Sequence, residues 1–180
     1  LSRVDENDAD GDGISGRANY VWDFVNHTTV LGRFGWKANQ PNLLQQTAAA
    51  YNQDIGITSS IFPQESSFGQ PQMDNLKDDP EISDSILHSV AFYVKTLAVP
   101  GRRNLENAQV IQGKQLFADA GCVKCHIPSM RTDVNVAFPA VSNQLIHPYT
   151  DLLLHDMGDS LADNRPDFLA TGREWRKTNL

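Results

Sequence analysis

Apolar positions recur at helical spacing in three stretches of the chain. In the first, about residues 42–52, Pro41 precedes Leu43, Leu44, Ala48 and Tyr51, which lie near one face. The second opens with Asp79 as N-cap, Pro80 at the first helical position and Glu81 in the first turn. Ile86, Val90, Tyr93 and Leu97 then form an amphipathic stripe, and Pro100-Gly101 stops it. The third runs from about Ala108 to Ala120, with Gly113 and Phe117 on one face and Gly121 ending it. Residues 54–78 are rich in Gly, Ser, Pro, Asn and Asp and predict a long loop, a length that usually serves function or wraps another element. Residues 127–151 hold three prolines and predict little regular structure. Asp151–Leu154 reads as a short strand or a helical turn, and Gly158–Leu180 as loop.

Composition narrows the class. The chain has 180 residues, 40% apolar and 21% charged, which predicts a soluble globular protein of one domain, or of two small ones sharing a core. Fifteen basic against 22 acidic residues leave a net charge of −7 with no basic cluster, so nucleic acid and anionic membrane are poor partners. The most apolar stretch, Ile86–Val99, carries His88 and Lys95 and is too short for a membrane span. The chain starts at Leu1 with neither an initiating Met nor a signal peptide, and is expected to be processed or a piece of something longer.

The two cysteines are Cys122 and Cys125, with His126 directly after. C-x-x-C-H has the form of a c-type haem attachment site. Two thiols adding to the two vinyl groups of one porphyrin must project from one face of a single turn, which positions i and i+3 allow. The next residue then offers its imidazole to the iron as proximal ligand. Two cysteines and five histidines scattered at random would fall in this pattern roughly three times in ten thousand. A redox dithiol is the alternative, but it normally follows a strand in a βαβ context. A zinc site is the other, and it needs two further ligands. Covalent haem c also places the protein in the periplasm or another extracytoplasmic compartment.

A distal iron ligand is usually Met or His. Met157 and His155 lie at a plausible loop distance, with the packing of Leu152–Leu154 on the porphyrin as the simpler role for that segment. Met130 is too close to His126 to reach the opposite haem face, and His147 is a further candidate. Asp8, Asp10 and Asp12, at alternating positions before Gly13, resemble the start of a calcium loop; a solvated acidic turn is the alternative. Trp36 reads as a core aromatic, a relay between haems or a wall of the first haem pocket, and Arg33 and Lys37 as propionate partners or surface charges.

A class I cytochrome c domain runs from an N-terminal helix through C-x-x-C-H to a C-terminal helix. Here the helix of C-terminal type, Ala91–Leu97, precedes the motif. That order predicts two consecutive cytochrome-like domains, each incomplete. Residues 1–99 would be the back part of the first, with its haem motif upstream, and residues 100–180 the front part of the second.

Seven stretches resemble the di-haem oxidoreductases related to bacterial cytochrome c peroxidase and MauG, in the branch labelled thiol oxidoreductase, a domain of unknown function. They are Asp10–Arg17, Leu31–Lys37, Asp54–Thr58, Phe92–Pro100, Gly121–His126, Tyr149–Gly158 and Gly172–Arg176. The resemblance implies a mostly α fold of class I cytochrome c-like domains, with helices around haem, long loops and little sheet. It implies one haem as an electron relay and the other as a peroxide-reactive site. It also implies that the remainder of the di-haem protein, or another chain, completes the domains, and that a redox partner protein exchanges electrons with them. The thiol label finds no support in the residues, since haem would consume both thiols. The expected function is the electron-transfer part of a peroxidase-like enzyme, complete only with segments beyond these residues. The alternative is a monohaem c cytochrome that only carries electrons.

Overall fold

The computed structural model describes residues 3–73 and 76–176, so parts of the expected loops at 54–78 and 158–180 lie outside the described residues. The chain divides into two compact units that are interleaved in sequence. One holds Asn19–Leu97 with Arg165–Thr171; the other holds Leu1–Ala18, Ala98–Asn164 and Gly172–Leu180.

In the Asn19–Leu97 unit, β1 (Tyr20–Asp23) and β2 (Thr28–Leu31) form an antiparallel hairpin in the register Tyr20↔Leu31 to Asp23↔Thr28. Val21 is fully buried. Asp23 organises the turn: its carboxylate accepts from the amides of Val25 and Asn26 and from the side-chain amides of Asn26 and Asn42. Burial pushes this carboxyl up, but those four donors outweigh it and hold it below the usual 3.8. A carboxyl depressed by folding stabilises the protein above the unfolded-chain value, and the stabilisation fades as pH falls through the depressed range. Asp23→Asn is therefore expected to shrink the stability difference between pH 3 and pH 7 in urea unfolding. An unchanged difference would rule Asp23 out as a contributor to acid unfolding.

Helix α1 (Leu43–Ile55) is capped by Asn42, whose side chain accepts from the Gln45 amide at 2.9 Å. It ends in a Schellman closure on Gly56 at φ +75°, with the Gly56 and Ile57 amides donating to the Asn52 and Tyr51 carbonyls. Helix α2 (Asp84–Thr96) packs on α1 through Ala48, Ala49, Leu87 and Ala91, where small side chains allow a close approach.

The start of α2 differs from the sequence expectation. Asp79 and Pro80 do not open it; Ser83 is the N-cap. Thr58, fully buried, recruits the upstream residues instead. Its hydroxyl bonds the Asp79 carboxylate, its amide donates to Glu81 at 2.9 Å, and its carbonyl accepts from the Ile82 amide. The buried positions also differ from the expected stripe: Leu87 and Ala91 face inward, whereas Ile86, Tyr93 and Leu97 are exposed.

The other unit contains helix α3 (Ala108–Asp119), capped by Asn107. After a short helical turn at Cys122–Lys124 the chain forms two small antiparallel pairs. β3 (Met130–Arg131) pairs with β4 (Leu145–Ile146), and β5 (Leu154–Asp156) pairs with β6 (Glu174–Arg176). Arg17 bridges to Leu154 through its backbone. Its guanidinium grips Glu174 with two bonds of 2.5 Å, and this raises the Arg17 pKa.

The expected fold class is corrected by this arrangement. Among the described residues helix accounts for 27% and strand for 15%, so the fold is mixed, with little helix and much loop, rather than mostly α. The physical reason lies largely in residues 127–176. Prolines at 128, 139, 148 and 166 interrupt helical hydrogen bonding, and backbone groups pair across two- and three-residue strands instead.

Candidate functional site

The site grows from the end of α3. Gly121 adopts φ +77°, a left-handed conformation that glycine takes at no steric cost, and reverses the chain directly before Cys122. The Lys124 amide donates to the Gly121 carbonyl at 3.0 Å and the His126 amide to the Cys122 carbonyl at 2.9 Å. This single turn carries both thiols. They are half-buried and form no disulfide.

His126 is held by a residue 23 positions away. Its Nδ1 lies 2.8 Å from the Tyr149 carbonyl oxygen, which only accepts, so Nδ1–H donates and Nε2 keeps the free lone pair. Tyr149 aims that carbonyl from a left-handed backbone, φ +50°. The Phe117 ring steadies both partners, its centroid 6.0 Å from the His126 ring and 6.0 Å from the Tyr149 ring. A cavity of about 700 Å³ opens beside the turn, lined among others by Val110, Phe117, Ala118, Val123, Pro128 and Tyr149.

These residues fit a haem. Two thiols outside any disulfide share one turn with an imidazole whose Nε2 keeps its lone pair, beside a mainly apolar cavity. No residue of α3 is buried, and Ile111 and Leu116 stand 55% and 60% exposed, an apolar helix surface that a porphyrin would cover.

His155 is brought to the motif: its Nδ1 is 4.0 Å from Cys125 Sγ. Both of its nitrogens are engaged, Nδ1 with the Ser15 carbonyl at 2.8 Å and Nε2 with Asp151 Oδ2 at 2.9 Å, so iron ligation would require breaking one of these bonds. Met157 is half-buried, and its amide donates to the Arg173 carbonyl. His147 sits 3.0 Å from both Ser129 Oγ and the Pro128 carbonyl, and Met130 lies in β3.

The acidic loop regroups the expected calcium candidates. Asp8 and Asp10 have carboxylate oxygens within 4.8 Å of one another, and the third member is Asp5 rather than Asp12. Asp12 turns to Lys124, between the cysteines, at 3.0 Å, and that ammonium holds its carboxyl below the usual range. The sequence reading overlooked Asp5 because its register falls outside the alternating Asp8–Asp12 pattern.

Lys37 is not a surface charge. It is buried, and Nζ donates to the carbonyls of Arg165 and Thr171 at 2.7 and 2.9 Å. Trp36 is not a core aromatic: it stands 65% exposed. The residues that sequence reasoning missed are Tyr149, for its carbonyl, and Asp151 and Ser15, for His155. All three lie in stretches that carry the family resemblance, Ser15 in Asp10–Arg17 and Tyr149 and Asp151 in Tyr149–Gly158, but spacing alone did not single out these groups.

A family model described as "Di-haem oxidoreductase, putative peroxidase" matches residues 1–180. No curated protein and no solved structure matches the chain. The chain belongs to the di-haem oxidoreductases, a family whose name implies haem as cofactor and a redox role.

Proposed function

We propose that the chain holds one haem c, bound covalently through Cys122 and Cys125 with His126 as proximal ligand, and acts in electron transfer within a peroxidase-type di-haem oxidoreductase. The observation that carries this reading is the Nδ1–H donation from His126 to the Tyr149 carbonyl. It selects the tautomer that leaves Nε2 for iron and makes the imidazole a stronger donor. The bound group supplies a one-electron couple. The chain's own residues do the rest. The Cys122–Cys125 turn would hold the porphyrin, Phe117 and Tyr149 hold the His126 imidazole, and the apolar residues of α3 that line the cavity would exclude water from it.

With two cysteines, these residues offer one attachment motif. The second haem implied by the family name then belongs to another segment or another chain, and a redox partner protein delivers or accepts the electrons. Thioether attachment of this kind takes place outside the cytoplasm, so the proposed location is periplasmic or otherwise extracytoplasmic.

The test is the alkaline pyridine assay on the purified chain matured for haem c. One covalent haem per chain is expected. Haem that extracts completely into acidified solvent, or titration of two free thiols, would refute the proposal.

A further inference from the structure

The stretch that carries the haem motif is positively charged within an acidic chain, and nothing assigned so far uses that. Residues 98–131 hold five bases, Arg102, Arg103, Lys114, Lys124 and Arg131, against two acids, Glu106 and Asp119. With a total of −7, this local excess of +3 leaves −10 on the other residues. Two of the five bases are engaged, Lys124 with Asp12 at 3.0 Å and Arg131 with the Asn143 carbonyl at 2.9 Å. Arg102, Arg103 and Lys114 are exposed and form no ion pair among the described residues.

Two cavities adjoin the motif, and they differ in charge. The one beside Phe117, Val123 and Tyr149 has Lys114 as its one charged lining residue among those described. The other, of about 500 Å³, is lined by Arg3 and Lys124 but also by four acids, Asp5, Asp10, Asp12 and Asp151. Lys114 stands on α3 one turn from Ile111 and one turn from Phe117, which line the same cavity. Arg102 and Arg103 lie just ahead of α3. Leu105, 52% exposed, follows them in a turn closed by the Asn107 amide on the Asn104 carbonyl at 2.9 Å. At an ionic strength of about 0.1 M, charges more than about 10 Å away are largely screened. A partner approaching the mouth of the α3 cavity therefore responds to Lys114 and its neighbours and not to the total of −7.

We propose that the α3 side of the motif is the face through which the haem exchanges electrons, and that it takes a redox protein with an acidic docking patch. This rests on the haem assignment above and gives the class of redox partner for that same site. Exposed cations around an apolar mouth favour an anionic surface, and the apolar side chain of Leu105 adds contact area beside them.

The experiment is stopped-flow oxidation of the reduced, haem-loaded protein by two small complexes of opposite charge, hexacyanoferrate(III) and tris(1,10-phenanthroline)cobalt(III). Each complex takes one electron from the haem and is itself reduced, and the anion stands in for the acidic patch. Covalent haem is first confirmed by the pyridine assay. The wild-type rate with the anion is expected to fall about threefold between about 0.02 M and about 0.2 M salt. Lys114→Glu is expected to slow the anion about fivefold at about 0.1 M salt and to speed the cation by a similar factor. Lys114→Arg, which keeps the charge, is expected within about twofold of wild type with both complexes. Opposite shifts separate charge at this face from altered potential or folding, which moves both rates in one direction. A wild-type rate with the anion that rises with salt overturns the proposal. So does a Lys114→Glu variant, its covalent haem intact, that changes neither rate or changes both in the same direction. Should Lys114→Glu hold no haem, the Arg102→Glu, Arg103→Glu double variant takes its place under the same criteria. A wild-type chain without covalent haem overturns the haem assignment, and this one with it.

Discussion

Replacing Cys122 and Cys125 together by serine is expected to abolish haem staining of the denatured chain. A serine hydroxyl does not add to a vinyl group, and no other thiol exists among the 180 residues. Denaturation removes any haem held by ligation or packing alone, so the stain reports thioether bonds only. Each single variant is expected to keep a stained band through its remaining sulfur. Its pyridine spectrum would shift to longer wavelength, because one vinyl group stays conjugated with the ring. His126→Ala separates ligation from attachment. Both thioethers form, the stain persists, and the proximal nitrogen is lost, so the visible spectrum changes while covalent haem does not. The Tyr149 carbonyl would then face a space where Nδ1–H stood, 2.8 Å away in the wild type. A double serine variant that stains like the wild type would sink the attachment assignment.

The parts of the structure that the sequence made legible are those decided within a few residues. Helix α3 begins at its expected position because Asn107 caps it locally, and Gly121 stops it because the next turn needs a positive φ. The C-x-x-C-H turn is equally local. What escaped was decided at long range. Helix α2 starts at Ser83 rather than Asp79 because Thr58, more than 20 residues upstream, binds Asp79 and Glu81. Its inward face is Leu87 and Ala91 because α1 presents the small residues Ala48 and Ala49, and helical periodicity alone does not choose between adjacent faces. The class I cytochrome expectation failed for a related reason. It carried a helical design over from local resemblance, whereas residues 127–176 satisfy their backbone through short strand pairs whose partners lie up to 22 positions apart. The partner of His126 at Tyr149 and the partners of His155 at Ser15 and Asp151 belong to the same class of long-range contact.

Asn19→Ala is expected to be the most destabilising substitution outside the haem motif, at about 4 kcal/mol. Asn19 is 1% exposed, and its amide serves three backbone groups at once. Nδ2 donates to the carbonyls of Lys37 and Asp167 at 2.8 and 3.1 Å, and Oδ1 accepts from the Leu169 amide at 3.1 Å. Alanine leaves all three without that partner, and each buried polar group so stranded costs about 1–3 kcal/mol before relaxation. The bonds also hold residues 165–171 on their unit, a task shared with Lys37, which donates to the Arg165 and Thr171 carbonyls, and with Asn39, which donates to Asp167 Oδ2 at 2.6 Å. Two consequences distinguish this clamp from ordinary packing. Asn19→Asp, nearly identical in shape, is expected to do no better than alanine, because a carboxylate keeps the acceptor for Leu169 but turns two donations into repulsions against carbonyl oxygens. The combined effect of Asn19→Ala and Lys37→Met is expected to fall short of the sum of the single effects, since the first change already loosens the segment that Lys37 grips. Urea unfolding with an unchanged m-value is the measurement. A loss below about 1 kcal/mol for Asn19→Ala, or full additivity with Lys37→Met, would show that residues 165–171 are held by other means.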